Sequence, residues 1–271
     1  MSEIFKTFKN LNFLHGFEDV TVKCQIISQW GSNSYFEDAY LMGTKEHVFG
    51  VFDGGSGKKV VAMEITQNYY WTGGRYASES AAHIFCQEGK ELIMMAEDTN
   101  KAILEKMSQF NAAKILNDKI DFENTEELWK TTCSAIKLKK GKDGLYFDWI
   151  KIGRSYIAVI FSDRSYKILG EPVGQPNNFQ GIDGVSNYRY FIEQGKEGLN
   201  GVETILLFTN GFMFPQKEPG DCLCPFLIVK EYSNLEKKDL CTIVRKINSE
   251  RSKYSISQTE FDDMTAIAIN F

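Results

Sequence analysis

Three acidic groups in this chain have the types and spacing to hold a hard cation. Glu37 and Asp38 stand side by side in Phe36-Glu37-Asp38-Ala39-Tyr40. Asp53 closes the apolar run His47 to Phe52 and opens a glycine-rich turn, Asp53-Gly54-Gly55-Ser56-Gly57. Asp262 and Asp263 precede the stretch Met264 to Ile269. Magnesium and manganese take oxygen ligands and keep several waters. A glycine turn lets backbone carbonyls and amides approach a ligand closely. Carboxylates beside such a turn therefore suit a divalent ion. Read locally, the same residues also fit a β-hairpin with acidic ends and a loose loop.

Such a site needs strands that end at one place, and the periodicity supplies candidates. Thr21 to Trp30 alternates and predicts a first strand. The Glu37-Asp38 segment and His47 to Phe52 predict the next two. Lys58 to Tyr70 reads as a helix. Helical spacing runs from Ser78 to about Phe110, with a weak point at Gly89. Asn111 to Lys130 is polar and helix-forming in pieces. A meander follows: Thr131 to Lys139, Leu145 to Ile152, Ser155 to Phe161 and Tyr166 to Leu169. Gly170 to Gly201 has little periodicity. Glu203 to Thr209 is a buried-type strand running into Asn210-Gly211. Pro215 to Pro225 reads as a loop, Leu235 to Glu250 as a helix, and Met264 to Phe271 as the last strand. Residues 1–20 form an arm, either a short amphipathic helix or a segment packed on a domain spanning 21–271. Strands before and after long helices, with hairpin turns between them, fit an α+β fold of antiparallel sheets with helices outside.

Composition narrows the function. The chain has 271 residues, 43% hydrophobic and 25% charged, enough apolar material for a core. A net charge of −5 argues against a nucleic-acid partner. No apolar run approaches the roughly 20 residues of a bilayer span, and the first residues lack the pattern of a signal peptide. The expectation is an intracellular protein, cytoplasmic or nuclear, with no membrane partner. The six cysteines are scattered, and Cys222-Leu223-Cys224 alone is not zinc spacing. No cysteine is followed six residues later by an arginine, so a cysteine-dependent phosphatase motif is missing.

Taken together, Glu37-Asp38-Ala39, Val48-Phe49-Gly50-Val51-Phe52-Asp53-Gly54 and Asp262-Asp263-Met264-Thr265-Ala266-Ile267-Ala268-Ile269 resemble the PPM family in order and spacing. These are the metal-dependent, type 2C serine/threonine protein phosphatases, and the resemblance runs from about Val20 to Phe271. It implies two antiparallel sheets packed face to face, helices on both outer faces, and a metal site at one end. It also implies ligands at Glu37, Asp38, Asp53, the Gly54 carbonyl and Asp262, with Asp53 bridging two ions that activate a water.

The chain departs from that pattern at four positions. Asn33 stands where the family carries a phosphate-binding arginine, and an amide offers only a neutral donor. Gly55 replaces a histidine that serves as general acid, and glycine has no side-chain proton. Asn210 replaces a ligating aspartate and can offer only an uncharged oxygen. Arg154 replaces an aspartate that helps hold a further ion, a charge reversal. Arg154 reads either as an internal counter-ion for the carboxylates or as a side chain turned to solvent. The sequence thus predicts one weakly held magnesium or manganese ion instead of two. It predicts a pseudophosphatase that binds or regulates a phosphoprotein or other protein partner; the alternative is an active magnesium- or manganese-dependent phosphatase.

Overall fold

The structure is a computed structural model that describes residues 8–18, 20–31, 35–43, 45–55, 65–66, 69–70, 72–113, 119–170, 181–185, 189, 191–214, 225–253 and 262–271. One antiparallel sheet has six strands in the order β1 (Phe8–Phe17), β2 (Val20–Gln29), β15 (Met264–Asn270), β14 (Val202–Phe208), β11 (Tyr156–Phe161) and β12 (Tyr166–Leu169). The second has five: β13 (Ile192–Gly198), β10 (Gly144–Ile152), β9 (Cys133–Gly141), β4 (Val48–Phe52) and β3 (Ala39–Leu41). Two-residue ladders join β5 (Gly54–Gly55) to β8 (Lys130–Thr131) and β6 (Ile65–Thr66) to β7 (Tyr69–Tyr70).

The two-residue period of the strands decides how the layers stack. On β15, Ile267 and Ile269 face the other sheet; with Ile26, Ile157 and Ile205 of their own sheet they share one core cluster with Val51, Ile136 and Phe147 of the facing sheet. The alternate residues, Ala266 and Ala268, face outward onto α3 (Pro225–Ser233) and α4 (Leu240–Arg251). Small residues there let the helices sit close to the strand. The outer face of the five-stranded sheet is covered by α1 (Gly73–Ile84) and α2 (Leu92–Ala113), through Ala77, Ala81, Met95, Ile103 and Met107. Both sheets are therefore buried on both faces, which is why their central strands read as near-continuous apolar runs. Ile267 is fully buried in this core, so Ile267→Ala should cost about 2–5 kcal/mol.

Several elements differ from the sequence reading. Phe8–Phe17 is not a helix: it packs on the domain as a strand, pairing with β2 from Phe8↔Gln29 to Phe17↔Val20. Glu18, at φ 52°, makes the tight reversal that lets it fold back. The helix expected over Lys58 to Tyr70 is, in its described part, the hairpin β6–β7, as suits Ile, Thr and Tyr. Strand β13 was hidden because it is a largely exposed sheet edge with little apolar content. Helix α3 begins on Pro225, a residue that suits the first helical position. Helix α4 starts later than its apolar period suggests, because Asp239 caps it, accepting from the Cys241 and Thr242 amides at 3.3 and 3.2 Å. Among the described residues no helix is long and apolar enough to cross a membrane.

Candidate metal centre

Strand pairing brings the acidic groups to one end of the sandwich. β14 and β15 are antiparallel neighbours with Phe208 opposite Ala266. The residues after β14, Asn210 and Gly211, therefore lie beside those before β15, Asp262 and Asp263. The approach is close: a Cβ on Gly211 would lie 1.6 Å from the Asp263 carbonyl oxygen. Asp53 leaves β4 at the same end, its carbonyl accepting the Thr132 amide at 2.8 Å. Gly54 is wedged between two backbones, since a Cβ there would meet the Gly74 and Glu37 carbonyl oxygens at 2.3 and 2.5 Å. The glycine turn thus packs the start of α1 against the Glu37-Asp38 segment.

Protein donors already hold most of these carboxylates. Asp263 accepts the Gly31 and Glu37 amides at 2.8 and 2.7 Å. Asp38 accepts the Thr209 hydroxyl at 3.0 Å, and the Thr265 side chain also favours its ionised form. Glu37 accepts the hydroxyl of Thr72, which also caps α1 by accepting the Arg75 amide at 3.1 Å. The Asn210 side chain lies close enough to Asp262 to favour its ionised form. Two oxygens stand apart: Asp53 Oδ2 and Asn210 Oδ1 are buried with no hydrogen-bond partner. An unsatisfied buried acceptor is costly, and a cation would relieve it.

The electrostatics match a crowded acidic cluster. Burial raises the Asp53 carboxyl well above the usual carboxylate range, and Asp262, Asp38, Asp263 and Glu37 add to the shift. Burial likewise raises Asp38, with Asp263 and Asp262 pushing the same way. Asp263 is pushed up to about 7, mainly by burial. Asp262 is raised by burial but eased by Arg251 and Asn210.

Glu37, Asp38, Asp53, Gly54, Asn210 and Asp262 are thus brought together. Asn33 lies outside the described residues. Gly55 faces Lys130 directly across the β5–β8 ladder, and residues opposite one another present their side chains on one face. Burial lowers the Lys130 pKa, with Asp183 and Glu126 opposing. Arg154 follows β10 and is half-buried. A cation that acts on Asp262 is Arg251, at the end of α4. Sequence reading missed Arg251, Thr72, Thr209, Thr265 and Lys130 as parts of the site and gave Asp263 no role of its own. Only Asp263 carried a signal, its place next to Asp262; the others become relevant through pairing and helix packing.

Among the described residues, no three His, Cys, Asp or Glu side chains form a ready-made metal cage. The chemistry of the donor set still fits a hard cation. Asp53 and Asn210 supply buried oxygens lacking partners, Asp262 adds a carboxylate, and the turn at Gly54 permits close backbone approach.

No protein-family model and no curated protein matches the chain. Solved structures do. The catalytic domain of the serine/threonine phosphatase PstP, in complex with two manganese ions, aligns at a TM-score of 0.59 and 13% identity, covering 92% of this chain and 97% of that one. Serine/threonine phosphatase Stp1 from Staphylococcus aureus aligns at 0.56 and 15% identity, covering 97% and 98%. RsbX, in complex with magnesium, aligns at 0.54 and 9% identity, covering 96% and 99%. The chain therefore has the fold of the PPM, or type 2C, serine/threonine phosphatases over nearly its whole length, with a widely diverged sequence.

Proposed function

We propose that this chain is a divergent PPM-like domain whose metal centre is eroded, and that it works as a pseudophosphatase. Its role is to bind or regulate a protein partner, a phosphoprotein or a regulatory protein, inside the cell. The observation that carries this reading is the state of Asp262. A two-metal phosphatase needs that carboxylate for its ions, yet here the Asn210 side chain and the Arg251 charge already favour its ionised form. Glu37, Asp38 and Asp263 are also held by protein donors. One magnesium or manganese ion would bind weakly through Asp53, the Gly54 carbonyl and Asp262, with Asn210 as a weak fourth donor. Such an ion would supply a Lewis acid and a more acidic bound water. The chain's own residues supply no histidine at Gly55 to deliver a proton to a leaving group.

A second reading, a slow metal-dependent phosphatase, is favoured by one observation: the orphaned oxygens of Asp53 and Asn210 ask for a cation. Hydrolysis of para-nitrophenyl phosphate and of a phosphoserine peptide in millimolar manganese separates the two. The pseudophosphatase reading expects turnover no faster than in buffer with metal alone. Saturable, manganese-dependent turnover that disappears in Asp53→Asn would overturn it.

A further inference from the structure

Arg251 ends α4, and its Nη2 donates to the Gly211 carbonyl at 2.6 Å. That carbonyl lies one residue beyond Asn210, on the backbone pressed against Asp263. The guanidinium is largely withdrawn from solvent. Burial lowers its pKa to about 10, while Asp262 and Asp263 pull the other way. It remains a full cation at neutral pH. A buried cation is tolerated only beside negative charge, and a buried acidic cluster needs positive charge equally. The two demands meet at Asp262, because the Gly211 backbone that Arg251 holds lies against it: a Cβ on Gly211 would be 3.2 Å from the Asp262 carbonyl carbon. The charges that act most on Asp53, by contrast, are the other carboxylates, all of which disfavour its ionised form.

We propose that Arg251 is a resident counter-cation for the Asp262 side of the cluster and competes there with a divalent ion. The inference rests on reading the cluster as a metal site. It goes further by naming the residue that weakens the site, and by placing it on a helix outside every sequence motif. Arg251 fills electrostatically the place a second ion would take. The metal-free fold is then stable, and an incoming manganese or magnesium ion is directed toward Asp53. A simpler role would be a tie between the end of α4 and the Gly211 carbonyl. The two roles make different demands: the tie needs a donor, the counter-cation needs a charge.

Four proteins decide between them: wild type, Arg251→Gln, Arg251→Lys, and Arg251→Gln combined with Asp262→Asn. Glutamine keeps a donor but no charge, and lysine keeps the charge. In EDTA, Arg251→Gln should melt about 5–10 °C below wild type, the effect of stranding a buried carboxylate. Arg251→Lys should lose much less. Adding Asp262→Asn to Arg251→Gln should recover most of the loss. Calorimetry should show manganese binding to Arg251→Gln on the order of tenfold more tightly than to wild type. Unchanged manganese affinity, or a double variant no more stable in EDTA than Arg251→Gln alone, would overturn the proposal. If Arg251→Gln folds only with Asp262→Asn beside it, that rescue supports the pairing; if neither folds, Arg251 is a structural tie and the proposal fails. Wild type that takes up no manganese at all sinks the metal-site reading and the competition with it. The EDTA comparison then still decides whether Arg251 and Asp262 are a charge pair.

Discussion

Asp263 accepts the Glu37 amide at 2.7 Å, tying the start of the last strand to an acidic pair 226 residues earlier. Its other carboxylate oxygen takes the Gly31 amide at 2.8 Å. One side chain therefore closes two backbone donors at the mouth of the cluster. An asparagine has a single acceptor oxygen, so Asp263→Asn must leave one of the two buried amides unmet. The expected loss is about 1–3 kcal/mol, read by denaturant unfolding. A neutral or stabilising result would mean that relieving charge repulsion outweighs the lost bond.

The raised carboxyls also set a pH dependence, and its sign follows from linkage. Asp263 titrates at about 7 in the folded protein against 3.8 ordinarily. Between those values the folded state holds a proton that the unfolded chain has released, so stability falls as pH rises. The buried Asp38 and Asp53 act in the same direction. His15 acts in the opposite one: burial, then the neighbouring His47, lower its pKa, so its contribution is lost as pH falls below its ordinary 6.5. In EDTA, unfolding free energy should drop from about pH 5 to pH 8 more steeply in His15→Gln than in wild type. It should drop less steeply in Asp263→Asn. Manganese at pH 8 should restore part of the loss, because it favours the ionised carboxylates. A profile in EDTA that rises over this range would contradict the account.

Gly54 offers a test of backbone geometry alone. Its missing Cβ is what allows the Gly74 and Glu37 carbonyl oxygens to lie where they do, at 2.3 and 2.5 Å from the built position. Both obstacles are main chain, so neither can swing aside like a side chain. Gly54→Ala should push α1 away from the Glu37-Asp38 segment and cost about 1–3 kcal/mol, the usual range for overpacking. Its manganese-induced rise in melting temperature should shrink with it. A variant with wild-type melting behaviour would mean that the turn is more accommodating than its packing implies.

The parts of the site that were legible from sequence share a property: each lies in a contiguous motif. Glu37-Asp38, Asp53-Gly54 and Asp262 could be found because the residue types and the strand carrying them sit side by side. Two sheets flanked by helices could be expected for the same reason, since alternation and helical spacing are local. What failed was non-local or lacked an apolar signal. Strand β13 is nearly all polar because its outer edge faces solvent, and its strand character comes from pairing with β10. Phe8–Phe17 became a strand through the whole of its pairing with β2. Arg251 was invisible because its importance depends on which loop the end of α4 reaches. A charge placed by packing, and not by a motif, cannot be found by reading along the chain.

The remaining prediction puts back the carboxylate that the family pattern leads one to expect at position 210. Asn210 Oδ1 is buried without a hydrogen-bond partner, while its side chain favours the ionised form of Asp262. Asn210→Asp keeps size and shape, removes the amide that favours ionised Asp262 and adds a negative charge to an already crowded cluster. Without metal that change is unfavourable on both counts. Losing the amide removes a group that favours ionised Asp262, and the new carboxylate repels it. The expected cost in EDTA is about 1–3 kcal/mol. With a divalent ion the balance reverses, because two carboxylates now face the cation where one did before. Manganese affinity should rise by about 10–100-fold, judged by what changes around metal ligands usually do. The variant should therefore be less stable than wild type in EDTA and close the gap, or pass it, in millimolar manganese. Calorimetry alongside melting curves checks both halves. If manganese binds Asn210→Asp no better than wild type, Asn210 does not face the ion, and the site must be rebuilt around Asp53 alone.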